Sequence, residues 1–88
     1  MKKINLSRIT IKTLEGQEQQ VDIKDDVSSY LYYRGMTSKE MNLGEHLHNN
    51  DENVTDEEAK IIIDALVRMK QPYILRQAVA ETLGMKAE

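Results

Sequence analysis

The chain predicts a small α+β domain, an N-terminal β-hairpin followed by three to four helices. Three observations carry this: apolar residues alternate only near the start, the rest repeats at helical spacing, and Thr-x-x-Glu caps recur before that spacing begins. Its 88 residues correspond to one domain, of a size that buries about 60–65% of the surface its unfolded chain exposes. Self-association is therefore an accessible source of extra stability. Apolar residues make up 40% and charged ones 31%, too apolar a mixture for a disordered chain. Phe and Trp are absent, so Ile, Leu, Val and Met must fill the core, with four tyrosines whose hydroxyls need a polar partner or water.

From Ser7 to Thr13 the apolar residues Ile9 and Ile11 alternate with polar ones, and Val21 and Ile23 repeat the pattern. The register follows from asking which loop puts these four side chains on one face. A two-residue Glu15-Gly16 loop sets Ile9 opposite Asp22 and mixes the faces. A three-residue Leu14-Glu15-Gly16 loop pairs Thr13 with Gln17, Ile11 with Gln19 and Ile9 with Val21. It also leaves Gly16 in the left-handed position that a type I turn with a G1 bulge demands. The run Ile11-Lys12-Thr13-Leu14-Glu15-Gly16 resembles the first hairpin of ubiquitin and the β-grasp fold. That fold needs further strands after its helix, and no strand-like alternation returns beyond Ile23, so the resemblance implies shared turn chemistry alone.

The first helix is expected over about 26–34, capped by Asp25 or Asp26, with Val27, Tyr30, Leu31 and Arg34 as its stripe and Gly35 as its stop. The Tyr30 to Tyr33 segment also has strand propensity. Thr37-Ser38-Lys39-Glu40 forms a capping box for a helix over 37–48, with Met36 and Met41 placed as a hydrophobic staple and Gly44 costing about 1 kcal/mol relative to Ala. Asn49 to Asn53 is a polar connection.

The best-specified element follows over 55–70. Thr55 and Glu58 make a second capping box, acids crowd the positive end of its dipole, and Arg68 and Lys70 the negative end. Ala59, Ile62, Ile63, Leu66 and Val67 form the stripe, with Lys60, Asp64 and Arg68 toward solvent and Ile61 beside Arg68 on the polar side. Pro72 ends this helix or kinks it; the economical reading opens a new helix over 72–83 with Pro72 at its first position. Leu75, Ala78, Val79 and Thr82 would be its stripe, Ile74 and Leu83 its margins and Gly84 its stop, with Met85 to Glu88 loose.

Charge is unevenly spread. The net value is −3, with a balance of −6 from Gly35 to Glu58 and +3 from Lys60 to Lys86, so an acidic middle and a basic end can face each other within or between chains. No signal peptide or membrane span is evident, and the absence of cysteine removes thiol chemistry and fits a cytoplasmic setting.

No catalytic spacing stands out. His46 and His48 diverge on a helix at i, i+2, so they are expected as surface residues. The acids Asp51, Glu52, Asp56, Glu57 and Glu58 lack the alternating ligands and central Gly of a calcium loop. No serine lies in a nucleophile elbow, and no Gly-rich phosphate loop is present. The expectation is therefore no enzyme, no cofactor and no metal.

DNA binding through Arg68, Lys70, Arg76 and Lys86 around Lys70-Gln71-Pro72 is the alternative, disfavoured by the acidic net charge. The candidate interface instead gathers the apolar and aromatic groups Ile61, Tyr32, Tyr33 and Tyr73, with Ala65 and Arg68 as neighbours of Ile61 on its helix. The expected partner is a protein or a second copy in a weak homodimer. The order of hairpin, Tyr-rich helix and Val54-Thr55-Asp56-Glu57-Glu58 before an Ile-rich helix resembles small uncharacterised proteins of bacterial prophages and mobile elements, a resemblance that implies no assigned activity.

Overall fold

The computed structural model describes residues 2–49 and 53–85. Within them lie β1 (Lys2–Lys3), β2 (Ile9–Lys12), β3 (Glu18–Val21), α1 (Lys24–Arg34), α2 (Ser38–His48), β4 (Asn53–Val54), α3 (Asp56–Arg68) and α4 (Tyr73–Thr82). This is the expected α+β arrangement, a hairpin followed by four helices.

The hairpin takes the register that puts its apolar side chains on one face. Ile9 pairs with Val21 and Ile11 with Gln19. The Thr13 amide donates to the Gln17 carbonyl at 2.7 Å, and Gly16 adopts φ +85°. Ile9 and Ile23 are buried, Ile11 and Val21 half-buried.

A second small sheet was not legible from alternation. β1 pairs antiparallel with β4, Lys2 opposite Val54 and Lys3 opposite Asn53. Strands of two residues are too short to show a period, so the expectation that strands end at Ile23 is corrected. Ile4 and Leu6, just after β1, are both buried, and the Leu6 carbonyl accepts from the Ile23 amide at 2.8 Å. The N-terminus is thereby stitched to the segment entering α1 and to the segment entering α3.

Tyr30 to Tyr33 is helical. α1 begins two residues earlier than expected: Ile23 is its N-cap and neither Asp25 nor Asp26 caps it, while the Asp22 carboxylate accepts from the Lys24 amide at 3.1 Å. Val27 and Leu31 are buried, but Arg34 is exposed and leaves the expected stripe. Gly35 ends the helix with φ −64°, so its role is not a left-handed turn. A Cβ there would press on the Leu31 carbonyl and lie 2.9 Å from the Glu40 Cβ.

Both capping boxes form, Thr37 with Glu40 and Thr55 with Glu58. The Met36–Met41 staple does not, since Met36 is 83% exposed. In α3 the buried face comprises Ala59, Ile62, Ile63, Ala65 and Leu66. It is turned from the expected stripe, with Val67 exposed and Ala65 inside.

Lys70 ends α3 in the left-handed conformation at φ +58°. The Gln71 amide donates to Leu66 and the Lys70 amide to Val67, the bond pattern of a Schellman motif. Pro72 is the N-cap of α4, one place before the expected first helical position, so the two helices are separate. Gly84 at φ +68° repeats the motif, and Met85 packs partly buried against the core, contrary to a loose end at that residue. The remaining tail and the middle of the polar connection, residues 86–88 and 50–52, lie outside the described residues.

Candidate interaction surface

α1 packs on the core through one face, with Tyr30 half-buried at its margin. Val27, Ser28 and Leu31 are its buried residues, so most of its circumference is available at the surface. α2 lies against it at Gly44, where an added Cβ would come 2.7 Å from the Ser28 carbonyl oxygen and 2.8 Å from the Tyr32 amide nitrogen. That close approach shapes a groove of about 280 Å³ between the two helices, walled by Tyr32 and Tyr33 on one side and by Glu45 and His48 on the other.

On the opposite flank of Tyr33 lies a second groove of about 330 Å³, lined by Asp26, Ser29, Tyr30, Tyr33, Arg34 and Met69. Ser29 and Tyr33 line both. Tyr33 thus stands as a ridge, 80% exposed, with its ring edge-on to Tyr32 at 5.1 Å between centroids. A large aromatic with few rotors, half surrounded by concave surface, is the side chain most suited to anchoring a contact.

Beneath the second groove the three helices are tied by charge. Glu40 is only 6% exposed, and its Oε2 accepts from the Met36 amide at 2.8 Å and the Thr37 amide at 3.1 Å. Its Oε1 accepts from Arg68 Nη2 of α3. The Arg68 guanidinium also lies over the Tyr30 ring at 5.7 Å. Its Nε comes within 3.1 Å of Asp64 Oδ2 but, although buried, makes no hydrogen bond. The Arg68 donation holds the Glu40 carboxyl below its ordinary range against the opposing effect of burial, with the Met36 amide adding to the lowering.

The sequence-predicted candidates separate on this surface. Tyr32, Tyr33 and Tyr73 are exposed as expected. Ala65 is fully buried, which corrects its place in the expected interface, while Ile61 is half-buried against the core and Arg68 is held by Glu40. Tyr73 sits on α4, with the Arg76 guanidinium over its ring at 5.3 Å.

Of the basic residues offered for DNA, Arg68 is engaged by Glu40 and Asp64, Arg76 Nε donates to the Gln71 carbonyl at 3.2 Å, and Lys86 lies outside the described residues. His46 is exposed on α2, and among the described residues no group of His and acidic side chains is placed to hold a metal ion. Asp51 and Glu52 lie outside them. Among the described residues no helix is long and apolar enough to cross a membrane.

Sequence reasoning found Tyr33 but missed Asp26, Ser29 and Arg34 beside it. The signal was present in the spacing: positions 26, 29, 30 and 33 recur at i, i+3, i+4 and i+7, a helical face that escaped notice because it is mostly polar. Comparison with protein-family models, with curated proteins and with solved structures finds no match to this chain.

Proposed function

We propose that the protein is a non-catalytic interaction or assembly module that self-associates weakly through the exposed tyrosine face of α1, in a cytoplasmic setting and of phage or mobile-element origin. The observation that carries the reading is Tyr33, 80% exposed between two grooves on a helix that packs on the core through one face. Burying such a ring stabilises an association through its area at little cost in side-chain entropy. A chain of this size has much to gain from a second copy, because a small core leaves a large fraction of its surface in contact with water.

Light scattering across a concentration series tests the reading. The weight-average mass is expected to rise with protein concentration, and a monomer mass retained at millimolar protein would overturn it.

A further inference from the structure

Resting on that reading, we propose a specific partner and geometry: a second copy of this chain, docked through the same face of α1 in a two-fold antiparallel arrangement that sets Asp26 of each copy beside Arg34 of the other. The face is self-complementary in the way a two-fold contact requires. It carries an acid at its N-terminal end, a cation at its C-terminal end, and small Ser29 with the tyrosines between them. Reversing the helix direction brings each end against its opposite. That register places Tyr30 opposite Tyr30 at the two-fold axis and brings Ser29 to about 3 Å along the axis from the level of the facing Tyr33, where a small side chain leaves room for the ring.

The charges are poised for a partner outside their own chain. Asp26 and Arg34 stand eight residues apart, roughly 12 Å along a helix, and neither takes part in an ion pair among the described residues. Both are exposed. Their helix-end positions are favourable in the single chain, the acid near the positive end of the α1 dipole and the base near the negative end. A parallel pairing of the same faces would put Asp26 against Asp26 and Arg34 against Arg34, so the charges select the antiparallel direction. A contact limited to one helix face is small, which matches a weak dimer.

The test is a charge swap read by sedimentation velocity at several concentrations and at low and high salt. D26R alone and R34E alone each place like charges at both symmetric contacts, and each is expected to weaken dimerisation roughly tenfold or more. Mixed one to one, the two variants are expected to form a heterodimer about as well as the parent forms its homodimer, because both contacts then pair opposite charges. Added salt should weaken the parent dimer and narrow these differences. Far-UV circular dichroism checks that each variant is folded, and the neutral variants D26N and R34Q should give the same order with smaller changes.

A parent chain that stays monomeric would overturn the proposed function and this geometry with it. A parent dimer that D26R and R34E leave unchanged, or variants that weaken it but do not rescue each other, would overturn the two-fold arrangement alone.

Discussion

Glu40 divides its carboxylate between two tasks, one oxygen closing the N-terminus of α2 and the other receiving the Arg68 guanidinium from the last turn of α3. One side chain therefore joins a local cap to a tertiary ion pair 28 residues away in sequence. Arg68 in turn covers Tyr30, so α1, α2 and α3 meet at a single charge pair beneath the proposed contact face. Removing Arg68 leaves the buried Glu40 carboxylate without its cation, and removing Glu40 leaves Arg68 with Asp64 alone.

That arrangement predicts an acid-sensitive fold. The Glu40 carboxyl is held below its ordinary value of 4.5, first by the Arg68 hydrogen bond. A depressed folded value means that the unfolded chain takes up the proton first as pH falls. The contribution is complete above about pH 4.5 and is lost as pH drops through the lower folded value. The variant E40Q is expected to lose about 1–3 kcal/mol at neutral pH and to show a shallower fall in stability below pH 4.5. Urea unfolding at a series of pH values measures both; parallel curves for the two proteins would rule out the pair as the source of acid sensitivity.

At Gly44 the sequence and the structure point in opposite directions. Local propensity alone says that Ala should stabilise α2 by about 1 kcal/mol. A Cβ at this position, however, would lie 2.7 Å and 2.8 Å from backbone atoms of α1, which cannot swing aside as a side chain can. Overpacking of this kind costs typically 1–3 kcal/mol, so G44A is expected to be destabilised on balance. Its urea midpoint should fall, together with chemical-shift changes at Ser28 and Tyr32.

The opposite expectation holds at Lys70. It is exposed and closes α3 at φ +58°, a conformation that strains a residue with a Cβ by about 1–2 kcal/mol. Replacing it by glycine removes that strain but loosens the unfolded chain by part of the same amount. K70G should therefore gain about 0.5–1 kcal/mol, visible as a raised melting temperature. A lowered one would mean that the Lys70 side chain contributes more than its backbone costs.

What could be read from the sequence was what neighbouring residues determine among themselves. The hairpin register followed from four apolar positions and Gly16, and both Thr-x-x-Glu boxes were visible because cap and partner lie three residues apart. Interactions across long separations were not visible. Glu40 was legible as a cap but not as the partner of Arg68, and Arg68 was assigned to solvent because only its position on α3 was known. Ala65 was set outside the stripe and Val67 within it by helical spacing alone, whereas α3 packs against α1, α4 and β4 and its buried face turns to take in Ala65. The proposed contact face of α1 was not legible for a related reason: its pattern is one of opposite charges at two ends, and an apolar period does not mark it.

Leu14 and Tyr33 separate two explanations of any self-association. Both are prominent apolar side chains, Leu14 fully exposed at the hairpin tip and Tyr33 on α1. A sticky surface in general would respond to either, since exposed apolar area drives nonspecific association wherever it lies. A contact built on the α1 face responds only to the residue within it. Leu14 lies in a turn whose geometry is carried by Thr13, Gly16 and Gln17, so L14N should change stability by less than about 0.5 kcal/mol and leave the dimer constant unmoved. Y33S should leave the fold intact, because the ring is largely in solvent, yet reduce the dimer to monomer over the concentrations where the parent associates. Sedimentation of both variants decides the matter, and an L14N chain that loses association while Y33S keeps it would move the interface from α1 to the hairpin.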